Sequence, residues 1–194
     1  MKIIKTFLII ITSLSFCAFK PVITKKVDTK NSIVKWIGYK VTGQHEGTIT
    51  LKKGELNFDD NSNLIGGAFV MDMTTINTTD LKGDSKKSLD NHLKDDDFFG
   101  VNKFNTSKLV FKKVSLLSKK EDNSMNYSVH ADLTIKDNTN PVTFQINISD
   151  NFAYANLKID RTKFEIKYGS SSFFDGLKDR AIYDEFDLKV NLKF

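Results

Sequence analysis

The chain has 194 residues, with 29 Lys and Arg against 24 Asp and Glu (net charge +5), sixteen phenylalanines, two prolines and a single cysteine. One cysteine leaves no disulfide framework and no cysteine metal site, and lysines and carboxylates spread along the chain without a basic stripe argue against nucleic acid as a partner. About 170 residues remain beyond an N-terminal signal, enough for one domain that buries roughly 70% of its unfolded surface without staples.

Residues 1–18 read as that signal. Lys2 and Lys5 precede the apolar run Phe7 to Ile11, which continues through Leu14 and Phe16, the arrangement of an export sequence. The run is about half of the roughly 20 residues that span a bilayer and nothing comparable follows, so no transmembrane span is expected in the mature chain. The expected location is periplasmic or secreted. Leu14-Ser15-Phe16-Cys17 approximates a lipoprotein box, though with bulky Phe16 where a small residue is usual. Ordinary cleavage near Cys17 or Ala18 is the alternative, and a lipidated Cys17 would anchor the protein to a membrane.

Beyond the signal, alternation of apolar and polar residues dominates. Strands are predicted at Ile33 to Tyr39, Gly47 to Phe58, Leu64 to Met73 and Leu109 to Leu116; adjacent Lys112 and Lys113 break the last and mark a bulge. A helix is predicted from Asp84 or Ser85, as the cap, to Lys94, with Leu89, His92 and Leu93 on one face. Its place between strands puts it over a barrel mouth. Further strands are predicted at Tyr127 to Ile135, Val142 to Ile148, Ala153 to Ile159 and Phe186 to Phe194. In the last, Phe186, Leu188, Val190, Leu192 and Phe194 share one face while Asp187, Lys189, Asn191 and Lys193 share the other, as in a half-buried antiparallel strand. Asp59 to Asn63, Asp122 to Ser124, Asp137 to Pro141 and Asp150-Asn151 carry the chemistry of tight reversals. The segment Ser170 to Leu177, with Phe173 and Phe174 among small residues, is either a second lid or a well-packed turn. About eight strands on short connections imply a barrel or a sandwich; without a Cys-Trp-Cys pattern the immunoglobulin-type sandwich is the poorer choice.

Several blocks resemble the YceI family of exported lipocalin-like proteins: Val27-Asp28 with Ser32 to Trp36; Asn91-His92-Leu93-Lys94 with Asp97-Phe98-Phe99; Ala131 to Lys136 with Pro141-Val142; Ile159 to Phe164; and Tyr168 to Asp175. In order and spacing they cover residues 26–194. The resemblance implies an all-β fold, an eight-stranded antiparallel barrel around an elongated apolar cavity, with a polyisoprenoid as the ligand class. Ala131, where the family often has glycine, and Asn138-Thr139, in place of the commoner Gly-Val, depart from the pattern in a strand and a turn.

An eight-stranded barrel is just wide enough to be filled by its own side chains or to hold one slender ligand. The phenylalanines, with Met71 and Met73 on one strand face, supply smooth, adaptable apolar walls, and Gly66, Gly67 and Ala68 leave room beside them. The expected wall is Trp36, Phe69, Met71, Met73, Leu109, Phe111, Phe144, Ile146, Leu188 and Val190. His92 either hydrogen-bonds a ligand head group at the mouth or bonds a neighbouring strand. Arg161, after Asp160 at a strand end, reads as a structural ion-pair partner rather than an anion hook. One isoprene unit contributes roughly 3 to 4 kcal/mol on burial, and association costs about 4 to 15 kcal/mol, so about four or more buried units are needed.

Familiar reaction motifs are missing. His45-Glu46 opens like a zinc-protease pattern, but Ile49 takes the second histidine's place; Asp59, Asn61 and Asn63 open like a calcium loop, but Leu64 and Val70 take its glycine and carboxylate positions. Asp95-Asp96-Asp97 reads as a solvated loop. The expectation is a carrier of a polyisoprenoid or fatty-acid-like ligand, not an enzyme, with no cofactor or metal; a homodimer is compatible with it. Two other classes stay open. An envelope stress-response or adaptor protein predicts a filled barrel and a protein partner, and an enzyme on an amphipathic substrate predicts a polar cluster with shifted pKa values beside His92.

Overall fold

In the computed structural model, which describes residues 21–194, the alternating segments form nine strands in one antiparallel sheet. They are β1 (Ile23–Lys26), β2 (Ile33–Lys40), β3 (Gly43–Phe58), β4 (Leu64–Thr78), β5 (Thr106–Lys119), β6 (Met125–Ile135), β7 (Asn138–Ser149), β8 (Phe152–Asp160) and β9 (Ile182–Lys193), with one α-helix, α1 (Gly83–Lys94), between β4 and β5. The strands β3-β2-β9-β8-β7-β6-β5-β4 are neighbours in that order and β3 pairs again with β4, which closes an eight-stranded antiparallel barrel. β1 lies outside this ring, with Ile23 opposite Phe58 and Lys26 opposite Glu55 on β3. The expected export signal and Cys17 lie outside the described residues.

Local chemistry sets the connections. The β5–β6 register slips between Phe111 and Lys113, where the paired lysines break alternation. On β4 a longer irregularity, with Thr48 opposite Asn77 but Thr50 opposite Asp72, sets Met73 and Ile76 beside Val101 in a small second core. The β6–β7 reversal is tighter than the composition of Asp137 to Pro141 suggests. Lys136 and Asp137 both take left-handed φ, 50° and 59°, and Ile135 faces Asn138, a two-residue loop of the kind that matches strand twist. Asn138 to Pro141 therefore belong to β7, and since β7 pairs with β8 only from Gln145 onward, Pro141 sits where the strand has a single neighbour.

The helix starts two to three residues earlier than its expected caps. Lys82 takes the cap position without a side-chain bond, and Asp84 lies inside the first turn, where its charge complements the helix dipole. No residue of α1 is buried. Its anchor is Asp90, whose carboxylate accepts the Thr78 N–H at 2.7 Å and pairs with Lys86. In the Ser170 to Leu177 segment Ser170 is buried, whereas Phe173 and Phe174 are 50% and 51% exposed, so the two aromatics are not packed into the turn.

One end of the barrel is plugged. Leu56, Phe58, Leu64 and Tyr127 are buried there, the Tyr127 hydroxyl accepts the Leu64 N–H at 3.2 Å, and Phe58 stacks on Phe194 at 5.8 Å. The helix, the 95–105 loop and the 161–181 segment gather at the opposite end.

Candidate functional site: an apolar cavity along the barrel

The inward parity of the strands leaves an apolar cavity of about 180 Å³, counted at positions open to the centre of a water molecule; a single water needs only about 10 to 15 Å³ by that measure. Its lining is almost wholly carbon. On β9 the wall runs from Ile182 to Leu192, and ten steps of about 3.3 Å on a strand tilted roughly 40° give a depth of about 25 Å.

The structure brings together all ten expected wall residues: Trp36 on β2; Phe69, Met71 and Met73 on β4; Leu109 and Phe111 on β5; Phe144 and Ile146 on β7; Leu188 and Val190 on β9. Trp36 faces Leu188, and Phe69 faces Leu109, across neighbouring strands. Phe69, Phe111 and Phe144 form a tilted aromatic arc with centroids 5.6 and 5.8 Å apart. Trp36, Met71, Phe111, Leu188 and Val190 point inward yet keep some accessible surface, because part of each faces the cavity and not another side chain.

Glycine shapes this wall differently from expectation. Gly67 does not leave empty space: a Cβ there would meet the Phe111 ring at 3.0 Å, so the ring occupies the room. Gly47 does the same for Trp36, since a Cβ would lie 2.4 Å from the indole and 2.1 Å from the Asn77 carbonyl. The Trp36 indole N–H donates to the Thr48 carbonyl at 3.3 Å, which fixes the ring.

Further wall residues follow the same parity, among them Val34, Ile49, Leu51, Leu133, Ala155 and Leu157. Leu93, Phe98, Phe99 and Arg161 also line the cavity but come from segments without a two-residue period. Arg161 is 2% exposed. Its guanidinium donates to the carbonyls of Tyr183 (3.0 Å), Ile166 (2.6 Å) and Ile182 (2.9 Å) and lies 5.6 Å from the Phe98 ring. It stitches the 161–181 segment to the start of β9. Asp184 is 3.7 Å from it; burial works to raise that carboxyl, but Ser170, Ser172 and the Arg161 charge outweigh it and hold the pKa below its ordinary value.

His92 is not on this wall. Its ring meets Phe98 at 5.4 Å and Tyr168 at 4.4 Å, both edge-on, and borders an open groove with His45, Leu81 and Leu89. Its Nε2 is buried without a hydrogen-bond partner among the described residues, so no strand bond holds that nitrogen. Among the described residues, His92, Asp95 and Asp97 form one group with possible metal-ligating atoms within 4.8 Å of one another, the two carboxylates being exposed. Asp80, Asp90, Asp184 and Asp187 are all held below the usual carboxylate value, the opposite of the raised carboxyl that serves as a general acid near neutrality. No helix among the described residues is long and apolar enough to cross a membrane.

A closed eight-stranded antiparallel barrel, a short helix near one end and a carbon-lined interior define a lipocalin-like binding fold. The chain belongs to the YceI family: the model of the YceI-like domain matches residues 26–194. BcnA of Burkholderia cenocepacia superposes with a TM-score of 0.66 at 18% identity, covering 86% of this chain and 98% of that one. A polyisoprenoid binding domain from Saccharophagus degradans gives 0.59 at 12% identity, covering 86% and 95%, and the YceI protein of Campylobacter jejuni 0.53 at 19%, covering 74% and 81%. No curated protein matches the chain.

Proposed function

We propose that this protein is an exported carrier that buries one long apolar chain, a polyisoprenoid or a similar lipid, along the barrel axis. The observation that carries this reading is the deep cavity lined by carbon and plugged at one end by Leu56, Phe58, Leu64 and Tyr127. The polyisoprenoid binding domain of Saccharophagus degradans, with the same fold, supports that ligand class. A fully extended chain advances roughly 1.3 Å per carbon given C–C bonds of about 1.5 Å, so the axis has the length of about 20 carbons; the open volume of about 180 Å³ is near the roughly 150 Å³ that takes one benzene, so the adaptable Phe, Met and Leu walls must give way to admit the whole chain. At about 0.8 kcal/mol per buried CH₂, burying about 20 carbons gives roughly 16 kcal/mol before the cost of association, which about 4 to 15 kcal/mol offsets. Affinity therefore climbs steeply with chain length.

Trp36 is the only tryptophan and stands on the wall, so its fluorescence reports filling. Titration with isoprenoid alcohols of graded length should give a saturable change whose affinity rises with length up to about 20 carbons. A Trp36 signal indifferent to every chain, in protein first stripped of bound lipid by solvent, would overturn the carrier reading.

A further inference from the structure

Where the helix ends, three side chains with metal-ligating atoms converge. His92 stands in the last turn of α1, Asp95 caps that turn and Asp97 lies two residues further on, and one donor atom from each falls within 4.8 Å of the others. The cavity wall uses none of them. Backbone bonds hold the turn in place: the Asp95 N–H donates to the Asn91 and His92 carbonyls at 3.0 and 3.2 Å, and the Asp95 carbonyl accepts the Phe98 and Gly100 N–H groups at 3.0 and 2.7 Å. The His92 ring is set by its edge contacts with Phe98 and Tyr168.

None of the three donors is spent elsewhere. Among the described residues the Asp95 and Asp97 carboxylates make no hydrogen bond or ion pair, and neither imidazole nitrogen of His92 does, although Nε2 is buried. A buried polar atom without a partner is costly, and a neutral imidazole keeps one lone pair that a metal can take. The nearby cations leave the carboxylates alone: Lys103 pairs with Asp96 at 2.5 Å, Lys136 donates to the Asp96 and Phe98 carbonyls at 3.1 and 2.9 Å, and Lys94, in the last turn of the helix, pairs with neither Asp95 nor Asp97. The donor set of one imidazole and two carboxylates suits a divalent transition metal, whereas calcium and magnesium take oxygen ligands. Zinc bonds His nitrogen and Asp oxygen at about 2.0 to 2.2 Å, which puts its donors roughly 3 to 3.5 Å apart; two exposed aspartates reach that spacing by a change of rotamer.

We propose that His92, Asp95 and Asp97 bind one divalent transition-metal ion such as zinc, with water at the positions the protein leaves open. The site does not depend on the carrier reading. The test is isothermal titration calorimetry of the tag-free protein, treated with EDTA and dialysed, against zinc chloride. The wild type should take up one equivalent, and zinc should raise its thermal midpoint, since a ligand that binds only the folded state stabilises it. Asp95→Asn with Asp97→Asn should weaken zinc by about a hundredfold or more, because loss of even an outer-shell partner costs about 10- to 100-fold. Both carboxylates are exposed and make no bond within the protein, so the fold survives the change. His92→Ala should weaken zinc as well. His45→Ala should bind it like the wild type, because Asp80 already holds the His45 Nδ1 at 2.8 Å. No saturable zinc uptake, uptake that survives the double variant, or uptake lost with His45→Ala overturns the proposal. So does calcium bound as tightly as zinc, because oxygen donors alone then make the site and His92 has no part in it.

Discussion

Placing a phenylalanine at Ala155 should shorten the cavity from its plugged end. Ala155 is buried, lines the cavity and lies between Ile146 and Val190 on the neighbouring strands. Val190 is eight steps along β9 from Ile182, about 20 Å down the axis at about 3.3 Å per step and a tilt near 40°. A ring at this level closes the last 5 Å or so of the cavity, about four carbons of an extended chain at C–C bonds of about 1.5 Å. The loss for a chain of about 20 carbons is then about 3 kcal/mol, roughly a hundredfold in affinity. A chain of about 12 carbons ends short of the ring, so its weaker binding should be unchanged. Trp36 fluorescence reads both titrations, and urea unfolding checks the fold. Overpacking a filled core costs about 1 to 3 kcal/mol, whereas a ring entering empty space should leave stability near the wild type. Equal effects on long and short chains, or none on either, would refute a cavity that fills tail first.

Other outcomes follow from individual contacts. Arg161→Met removes the donors of three carbonyls in a buried setting, and urea denaturation should record a loss of about 3 to 5 kcal/mol; a loss below about 1 kcal/mol would mean that water replaces the guanidinium. His92→Ala should leave chain affinity within about twofold, because the ring is off the wall and truncation there removes no hydrocarbon contact with ligand. A drop of tenfold or more would support a head-group role at the mouth. Acid should destabilise the fold through Asp90, Asp184 and Asp187. Burial opposes their ionisation, but hydrogen bonds and neighbouring cations hold each pKa low, so their stabilisation is present above the unfolded value near 3.9 and fades as pH falls through it toward the folded values. Urea midpoints measured against pH should fall below about pH 4, and Asp184→Asn should flatten part of that slope.

The barrel was legible because each strand buries one face, and a one-residue shift would turn every apolar side chain outward. That constraint wrote the wall into the sequence at Trp36, Phe69, Met71, Leu188 and Val190. Where period two stops, the reading stopped as well. β1 is only four residues with no buried position, and the end of β4 is the polar stretch Asn77-Thr78, held by Asp90 on the helix. Leu93, Phe98 and Phe99 reach the cavity from a helix end and a loop, where no alternation signals an inward side chain. His92 has the right helical spacing to face the barrel with Leu89 and Leu93, but packing against Phe98 and Tyr168 keeps its ring outside. Gly67 looked like spare volume because sequence alone does not disclose that Phe111 fills it.

The central claim is that the barrel holds one long hydrocarbon chain, and native mass spectrometry of the protein purified from its own host addresses it most directly. A single stoichiometric mass increment, identified after organic extraction as a long-chain isoprenoid or acyl lipid, is the predicted result. An empty protein that also takes up none of the long-chain lipids added to it would contradict the account.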